Sequence, residues 1–338
     1  MKTKNRILAD GRWTGNNGIG RFSREILSRL NHTDILSANV NPLSFKNLYW
    51  QKKQLKKHQA NYQVYFSPGF NPVIQSPMPF VATLCDLIHL KAPGHFSLAK
   101  KCFYEFLVKP TLKKAAKIIT ISDYSKKTII EWAGISPDKI INVSCGYSDV
   151  FTPLGIEHHP GYPYFLYVGN SKHHKNLPRL LLSFHAATQQ DKHYKLILTT
   201  PATPALHKLI KELHLQDRVI FSGPLEESIL AEYYRGATAL ILPSIYEGFG
   251  LPALEAMASA TPVIASHVTS IPEVTQDAAI LINPYQIDSI SDGILQIIKR
   301  PELRDFLIKK GLKRVKLFSW EKTARKVQRV LDETAITY

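Results

Sequence analysis

Cysteine is scarce in this sequence: there are three in 338 residues, at positions 85, 102 and 145. Their number is odd and none belongs to a Cys-x-x-Cys pair, which argues against a disulfide framework and against a structural zinc site. We therefore expect three reduced thiols that are packed inside the protein.

Long apolar stretches are absent as well. No run approaches the ~20 apolar residues that a transmembrane helix needs, and residues 1–13 lack the apolar core of a signal peptide. These absences predict a protein that has no membrane-spanning helix and stays in the cytoplasm.

Acidic residues are few, 27 against 43 lysines and arginines, which gives a net charge of +16. The imbalance is concentrated in residues 1–160, where 22 basic residues stand against 10 acidic ones, a net charge of +12. The electrostatic field of this positive charge attracts anionic lipid headgroups, nucleic acid or molecules that carry phosphate. We find no recognised nucleic-acid-binding module or aromatic stacking motif, and we expect no nucleic-acid partner.

The length and the hydrophobic pattern indicate two α/β domains. A chain of 338 residues is about twice a typical domain. Short apolar runs alternate with segments of helical periodicity in both halves, and a Pro- and Gly-rich stretch at 151–163 is the best candidate for a linker. The predicted strands are 5–9, 64–66, 80–84, 117–121 and 140–143 in the first half, and 164–168, 194–199, 219–222, 239–242, 263–265 and 279–281 in the second.

A glycine-rich loop, residues 15–20, lies between the first predicted strand and an amphipathic helix predicted at 21–30. Strand, loop and helix in this order open many nucleotide-binding domains. The dinucleotide-binding fingerprint is incomplete, however, because Ser23 occupies the place of its third glycine.

The most informative segment is residues 244–255, in which Glu247 and Glu255 have seven residues between them. The segment follows a predicted strand and contains Pro252, which suits the first turn of a helix predicted at 253–260. A helix N-terminus at the end of a parallel strand offers free backbone N–H groups to a diphosphate. A carboxylate instead accepts hydrogen bonds from neighbouring hydroxyls, so the two glutamates suit the diols of a sugar and a ribose. Together these features predict a nucleotide-sugar site.

Residues 244–284 closely resemble the retaining glycosyltransferases of family 4, a family of the glycosyl transferases group 1. The resemblance is dense over residues 160–325 and thinner before them. It implies the GT-B architecture, an α/β fold of two facing Rossmann-like domains with parallel sheets. The implied parts are an acceptor-side domain at 1–155, a nucleotide-sugar-binding domain at 156–318, and a C-terminal helix at 319–338 that crosses back to pack on the first domain.

The same resemblance implies roles for individual residues. Lys175 is the implied fixed cation for the departing diphosphate, Glu247 binds the transferred sugar, and Asp86 positions sugar or acceptor hydroxyls, so these three are the predicted catalytic residues. The predicted donor-binding residues are Gly18, Gly20, Asn170, Lys175, Gly248, Phe249, Gly250, Leu251 and Glu255.

The sequence departs from the family pattern in two places. Many relatives carry an arginine where this chain has Asn170 or His174, which leaves the second cation for the diphosphate open among Lys172, His174 and Arg21. Relatives also commonly have a histidine where Cys85 precedes the predicted catalytic aspartate.

The implied reaction transfers a hexose or deoxyhexose from a nucleotide sugar with retention of the anomeric configuration. GDP-mannose is our first choice of donor, and UDP- and dTDP-sugars remain open. No Asp-x-Asp motif occurs, so we expect no obligatory metal and no resident cofactor, with Lys175 and backbone amides neutralising the diphosphate. The alternatives are a nucleotide-sugar epimerase of the same fold and a non-enzymatic nucleic-acid-binding protein.

Two basic segments of the first half, 45–57 and 100–117, also contain aromatic residues. In the first segment Lys52, Lys53, Lys56 and Lys57 share one helical face. Lysines beside aromatic residues suit a helix on anionic lipid, although a solvated face explains either cluster alone equally well. The predicted partners are therefore a glycan or lipid-linked acceptor, as in cell-surface polysaccharide or lipopolysaccharide synthesis, and an anionic membrane.

Overall fold

In a computed structural model of the chain, residues 6–337 are described except for Thr14, Asn16, Asn17, Pro93, His95 and Phe96. Part of the predicted glycine loop and the first five residues therefore lie outside the described residues. The chain divides into two compact units, the first formed by 1–90, 96–146 and 320–338, the second by 91–95 and 147–319.

The first unit contains a six-stranded parallel sheet with the order β2-β1-β3-β4-β5-β6. Every residue of β1, β3 and β4 is buried, as in parallel strands covered by helices on both faces. The strands are β1 (Ile7–Asp10), β2 (Thr33–Leu36), β3 (Val64–Ser67), β4 (Phe80–Thr83), β5 (Lys117–Thr120) and β6 (Ile140–Asn142).

Helices connect these strands and begin at side-chain caps where the sequence provides them. Ser122 caps its helix by accepting a hydrogen bond from the Ser125 amide, as its position in the sequence predicts. A π-helical turn at Tyr104–Val108 joins two of the helices. The helices are α1 (Gly18–Leu27), α2 (Phe45–His58), α3 (Ile88–Lys91), α4 (Leu98–Phe103), α5 (Lys109–Lys114) and α6 (Asp123–Ala133).

The second unit repeats this plan with a parallel sheet in the order β12-β11-β10-β7-β8-β9. Its strands are β7 (Tyr164–Tyr167), β8 (Lys195–Leu198), β9 (Val219–Phe221), β10 (Ala239–Leu242), β11 (Val263–Ser266) and β12 (Ile280–Ile282). Its helices are α7 (Leu177–Ala187), α8 (Pro204–Glu212), α9 (Glu227–Gly236), α10 (Leu251–Ala258), α11 (Ile271–Thr275), α12 (Ile287–Lys299) and α13 (Pro301–Val315).

The last helix, α14 (Trp320–Thr337), belongs to the first unit although it follows the second in sequence. The buried Trp320 packs its ring edge-on against Phe22 of α1 at 6.4 Å, and Arg29 donates a hydrogen bond to Glu321 at 3.0 Å. The apolar face of α14 is thereby buried on the helix that follows β1.

The predicted α/β fold with parallel sheets is confirmed, and each predicted strand lies within two residues of the observed one. Helix starts were predicted less well: α1 begins at Gly18 rather than at residue 21, and α10 at Leu251 rather than at residue 253. Strand β2 was missed, because an edge strand with a largely exposed sequence lacks the apolar run that marks the others.

Three further expectations can be compared with the structure. Cys85 and Cys145 are buried, but Cys102 is exposed, so the expectation of three packed thiols was wrong for that residue. Residues 151–163 contain no helix or strand, yet Arg235 donates hydrogen bonds to their backbone carbonyls and fixes them on α9. Within the described residues, no helix combines the length and apolarity that crossing a membrane requires.

Candidate functional site

The second sheet has its topological switch point between β7 and β10. The chain passes from β7 outward to β8 and β9, then returns to the opposite side of β7 to form β10, β11 and β12. The loops that leave the carboxyl ends of β7 and β10 therefore diverge to opposite faces, and ligands of open parallel sheets bind in the crevice between such loops. Most of the predicted site residues of this unit follow these two strands.

Lys175 and Glu247 form an ion pair at this switch point. The Lys175 Nζ lies 2.7 Å from the Glu247 Oε1, and each side chain is 11% exposed. The two residues are 72 positions apart in sequence, and they meet because β7 and β10 are neighbours in the sheet. The predicted cation and the predicted sugar-binding carboxylate thus form an ion pair with each other.

The turn that carries Lys175 is fixed to the loop after β10. Asn176, in the left-handed region at φ 64°, donates from its side-chain amide to the Pro243 and Pro284 carbonyls at 3.0 and 2.7 Å. The Ile245 amide donates to the His174 carbonyl at 2.7 Å. Two of these hydrogen bonds hold the Lys175 turn against the Glu247 loop, and the bond to Pro284 holds it against the segment that follows β12.

The backbone of Glu247 is held by two residues that the sequence analysis did not single out. The Glu247 amide donates to the Thr269 hydroxyl at 3.1 Å, and the Ser270 hydroxyl donates to the Glu247 carbonyl at 2.9 Å. Thr269 has φ 59°, a conformation that is a genuine outlier for a β-branched residue. A strained backbone conformation of this kind is maintained where several neighbouring contacts hold it in place, and such residues are common at functional sites.

Residues 248–251 lead from Glu247 into α10. Gly248 and Phe249 are buried, and the Phe249 ring packs edge-on against Phe318 at 5.9 Å. Gly250 has φ 106°, a backbone conformation that side chains other than that of glycine rarely adopt, so the conformation at this position requires glycine. Helix α10 then begins at Leu251 with no acidic side chain in its first turn, which leaves its N-terminal dipole available to an anion.

Glu255 lies on α10 and is almost fully buried. Its Oε2 accepts a hydrogen bond from the hydroxyl of Tyr234, on α9, at 3.1 Å. Tyr234 is itself completely buried, and the sequence analysis did not identify it as part of the site.

Asn170 lies in the exposed loop between β7 and the Lys175 turn. Its carbonyl accepts from the buried Tyr167 hydroxyl at 2.6 Å, and its side-chain oxygen accepts from the Lys172 amide at 3.0 Å. Burial raises the pKa of Tyr167 well above its usual value, and the Glu247 carboxylate adds to the rise, so the phenol stays protonated and can donate. Asn170 therefore shapes the loop through its own backbone and side chain.

The side chains proposed for the second cation differ in their surroundings. Lys172 is exposed beside the loop, whereas the His174 side chain is buried. Within the second unit Lys172 is therefore the more accessible of the two to a ligand, and Arg21 belongs to the first unit.

In the first unit, Gly18 and Gly20 lie in the first turn of α1 rather than in the preceding loop. A Cβ atom on Gly20 would lie 1.8 Å from the Gly15 carbonyl oxygen, so this position needs glycine for packing. Among the described residues, no atom lies within 4 Å of a Cβ atom placed on Gly18, so crowding by these residues does not require glycine there.

A buried polar network occupies the switch point of the first sheet, between β1 and β3. Asp10 and Arg12 form a two-pronged ion pair with N–O distances of 2.8 and 2.6 Å, and both side chains are almost inaccessible. Tyr65 donates to the same carboxylate at 2.9 Å, and Arg12 donates to Asn47 of α2 at 2.6 Å. The network ties the chain just after β1 to α2, and sequence reasoning missed it because its members come from three separate segments.

Asp86, predicted to be catalytic, accepts a hydrogen bond from the Ile88 amide at 2.8 Å and so caps the short helix α3. Burial raises the pKa of the adjacent Cys85 thiol well above its usual value, and the charges of Asp86 and Cys145 raise it further. Cys85 is therefore a neutral thiol that cannot replace a protonated histidine. His89 packs near the rings of Phe70 and Tyr104, which agrees with a structural role.

The structure therefore brings one group of predicted residues together at the edge of the second sheet, while Gly18, Gly20 and Asp86 belong to the first unit. Among the residues that the structure describes, no three His, Cys, Asp or Glu side chains are grouped so as to hold a metal ion. The assembled group consists of Asn170, Lys175, Glu247, Gly248, Phe249, Gly250, Leu251 and Glu255.

Comparison with known proteins shows which family the chain resembles. The family described as glycosyl transferases group 1 matches residues 155–314, which include every member of the assembled group. O-antigen chain mannosyltransferase B of Escherichia coli is 30% identical over 254 residues, covering 71% of this chain and 67% of that protein. O-antigen chain mannosyltransferase RfbU of Salmonella typhimurium is 32% identical over 230 residues, covering 67% of this chain and 64% of that protein.

The chain thus spans about two thirds of the length of these two relatives. The solved structure of sucrose-phosphate synthase from Thermosynechococcus elongatus matches 99% of this chain and 100% of its own, with a TM-score of 0.79 at 21% identity. This match confirms the predicted GT-B fold. From its sequence relatives and the matched family, the chain belongs to the glycosyl transferases group 1 family.

Proposed function

We propose that this protein is a retaining glycosyltransferase of family 4 that moves mannose from GDP-mannose to a glycan or lipid-linked acceptor in cell-surface polysaccharide synthesis. The observation that carries the proposal is the Lys175–Glu247 pair at the switch point of the second sheet, next to the N-terminus of α10. The two relatives above are named O-antigen chain mannosyltransferases, which supports mannose as the sugar and an O-antigen type of product.

In this proposal the donor lies across the loops that follow β7 and β10. Its diphosphate takes the Lys175 ammonium and the N–H groups at the start of α10, where an anion is favoured. Its ribose hydroxyls donate to Glu255, and the sugar hydroxyls donate to Glu247 once Lys175 has turned to the diphosphate. Each charged group that the structure brings together then has a partner in the donor.

The chemical step breaks the bond between the anomeric carbon and the diphosphate oxygen. An acceptor hydroxyl attacks the face that the diphosphate is leaving, which retains the configuration, and a phosphate oxygen takes the acceptor proton. Negative charge grows on the departing diphosphate, and the fixed Lys175 cation stabilises it most in the transition state. Thr269 and Ser270 keep Glu247 in place during this step through their contacts to its backbone.

The acceptor is lipid-linked in this proposal, and its site includes the basic surface of α2. Lys52, Lys53, Lys56 and Lys57 are exposed, and Tyr49 on the same face is 75% exposed. Leu98 and Phe106, near the second basic segment, are 70% and 74% exposed. Large exposed apolar side chains beside lysines suit the interface of an anionic bilayer, and the enzyme would act at the cytoplasmic face of the membrane.

The second basic segment contributes less to this surface than its sequence suggests. Lys109 pairs with Glu105 at 3.1 Å, and Lys114 and Lys117 donate to the backbone carbonyls of Ile74 and Asp138. These three lysines therefore have partners within the protein, and α2 is the stronger candidate for the lipid contact.

A thermal-shift panel of GDP-, UDP-, dTDP- and ADP-sugars, followed by transfer to a lipid-linked glycan acceptor, tests the proposal. We expect GDP-mannose to stabilise the protein most and the NMR spectrum of the product to show a retained anomeric configuration. An inverted product, or stabilisation by no nucleotide sugar, would refute it. Turnover of the donor without any acceptor would favour an epimerase, and tight binding to an oligonucleotide alone would favour the nucleic-acid alternative.

A further inference from the structure

The Tyr234 hydroxyl lies within hydrogen-bonding distance of the Glu255 carboxylate, with the two oxygens 3.1 Å apart. The tyrosine lies on α9 and the glutamate on α10, so the contact joins two neighbouring helices of the second unit. Tyr234 is completely buried, and Glu255 is 4% exposed.

The tyrosine itself is rigidly held. Its backbone carbonyl accepts from the Thr261 hydroxyl at 2.6 Å and from the Ala237 amide at 3.1 Å, and its ring packs edge-on against Phe151 at 5.7 Å. The tyrosine ring is attached through two rotatable side-chain bonds, and this packing fixes both of them. Its hydroxyl is therefore a fixed point against which Glu255 can be oriented.

We propose that Tyr234 is a positioning residue for donor binding: its hydroxyl fixes the Glu255 carboxylate in the orientation that accepts the ribose hydroxyls. This inference rests on the proposed function, in which Glu255 binds the ribose. Tyr234 does not touch the donor and acts through Glu255 alone.

The chemistry of the contact supports a positioning role over simple core packing. A hydrogen bond from a hydroxyl to a carboxylate is charge-assisted and stronger than one between neutral groups. By donating to Oε2, the tyrosine fixes the direction in which that oxygen faces, and a carboxylate has several acceptor sites on its two oxygens. A contact that fixes the carboxylate before the ribose binds lowers the entropic cost of binding, so loss of the hydroxyl should weaken binding.

The test compares Tyr234→Phe with wild type by calorimetric titration with GDP and UDP and with their 2′-deoxy counterparts. We expect the Kd of the ribonucleotide that binds to rise roughly fivefold to tenfold, and that of the 2′-deoxynucleotide to change less than twofold, because the lost hydrogen bond serves the ribose hydroxyls. In transfer assays KM for the donor should rise while kcat is maintained, since the ribose contact is the same in ground and transition states.

Tyr164→Phe is a matched control. Tyr164 is also a buried tyrosine of the second unit, and its hydroxyl donates to the Tyr233 carbonyl at 2.8 Å rather than to a site residue. This variant should lose a comparable buried hydrogen bond without any change in the Kd of the ribonucleotide or of the 2′-deoxynucleotide. The double variant Tyr234→Phe/Glu255→Ala should bind no more weakly than Glu255→Ala, because the tyrosine acts only through the glutamate.

The outcomes separate this inference from the proposed function. If Glu255→Ala weakens ribonucleotide binding but Tyr234→Phe does not, or if Tyr234→Phe weakens ribo- and deoxyribonucleotides equally, the positioning role is refuted and the proposed function stands. If Glu255→Ala binds both nucleotides like wild type, the ribose role of Glu255 is refuted and the inference about Tyr234 with it.

Discussion

Replacing Glu247 with glutamine gives the sharpest test of how the candidate site works. Glutamine keeps the size of the side chain and its capacity to accept a hydrogen bond from a sugar hydroxyl, but it removes the charge that neutralises Lys175 at 2.7 Å. We expect Glu247→Gln to abolish sugar transfer and yet to bind the bare nucleoside diphosphate more tightly than wild type does.

The magnitude follows from the burial of the pair. Removing one partner of a buried ion pair costs about 3–5 kcal/mol, because the remaining charge is left uncompensated. Both side chains are 11% exposed and lie on ligand loops, so we take the lower end, about 3 kcal/mol, for the loss of stability in the ligand-free variant. A bound diphosphate restores a negative charge next to Lys175. If it restores about 1.4 kcal/mol of the lost stability, the variant binds the diphosphate tenfold more tightly than wild type does.

Calorimetric titration with GDP and UDP measures this difference directly. Glu302→Gln is the control, because it removes a carboxylate from an exposed pair with Arg300 in the same unit and should leave binding unchanged. The gain in affinity should also disappear when Lys175→Ala is added, because the ammonium group that Glu247→Gln makes available to the diphosphate is then missing. Weaker binding of the nucleoside diphosphate to Glu247→Gln, or a gain that survives the loss of Lys175, would refute the reasoning.

Further predictions concern the leaving group, the metal and the membrane. Lys175→Ala should lower kcat far more than it raises the donor KM, because charge develops on the diphosphate in the transition state; an equal loss of binding with an unchanged kcat would point to ground-state binding instead. Transfer activity should survive EDTA, and a strict requirement for Mg²⁺ or Mn²⁺ would overturn the metal-free expectation. Changing four lysines of α2 to glutamine should weaken binding to anionic vesicles by about 1 kcal/mol per charge, most clearly at low salt, while donor hydrolysis in solution is unaffected. Vesicle sedimentation should separate this variant, altered at Lys52, Lys53, Lys56 and Lys57, from a control altered at the exposed Lys192, Lys208, Lys211 and Lys299 of the second unit; equal sedimentation of the two would refute a lipid-facing α2.

Much of the fold could be predicted from local sequence. Strand β10 (Ala239–Leu242) is entirely apolar and buried, so its hydrophobic pattern predicted both its first and its last residue. Ser122 marked the start of α6, and Pro252 indicated the start of α10 to within two residues, through backbone chemistry that depends only on nearby residues. Strand β2 escaped prediction because its stability comes from pairing with β1, and an edge strand with exposed side chains carries little of that information in its own sequence.

The residue types of the candidate site could also be predicted. The spacing of Glu247 and Glu255 around two glycines indicated a sugar nucleotide, and the family resemblance pointed to Lys175. For Asp86, however, the structure shows a local helix-capping contact that the resemblance did not imply, and its proposed role in catalysis stays a prediction.

The partners of these residues were decided by tertiary structure alone. Lys175 meets Glu247 across 72 residues only because β7 and β10 are neighbours in the sheet, and Thr269 and Ser270 reach Glu247 only because β11 lies beside β10. Tyr234 reaches Glu255 through the packing of α9 and α10. The sequence by itself determined which elements form and which side chains carry charge, because propensity, capping and hydrophobic period act over a few residues. Which charges neutralise one another, and which hydroxyl orients which carboxylate, depended on strand order and helix packing, which act between segments far apart in the chain.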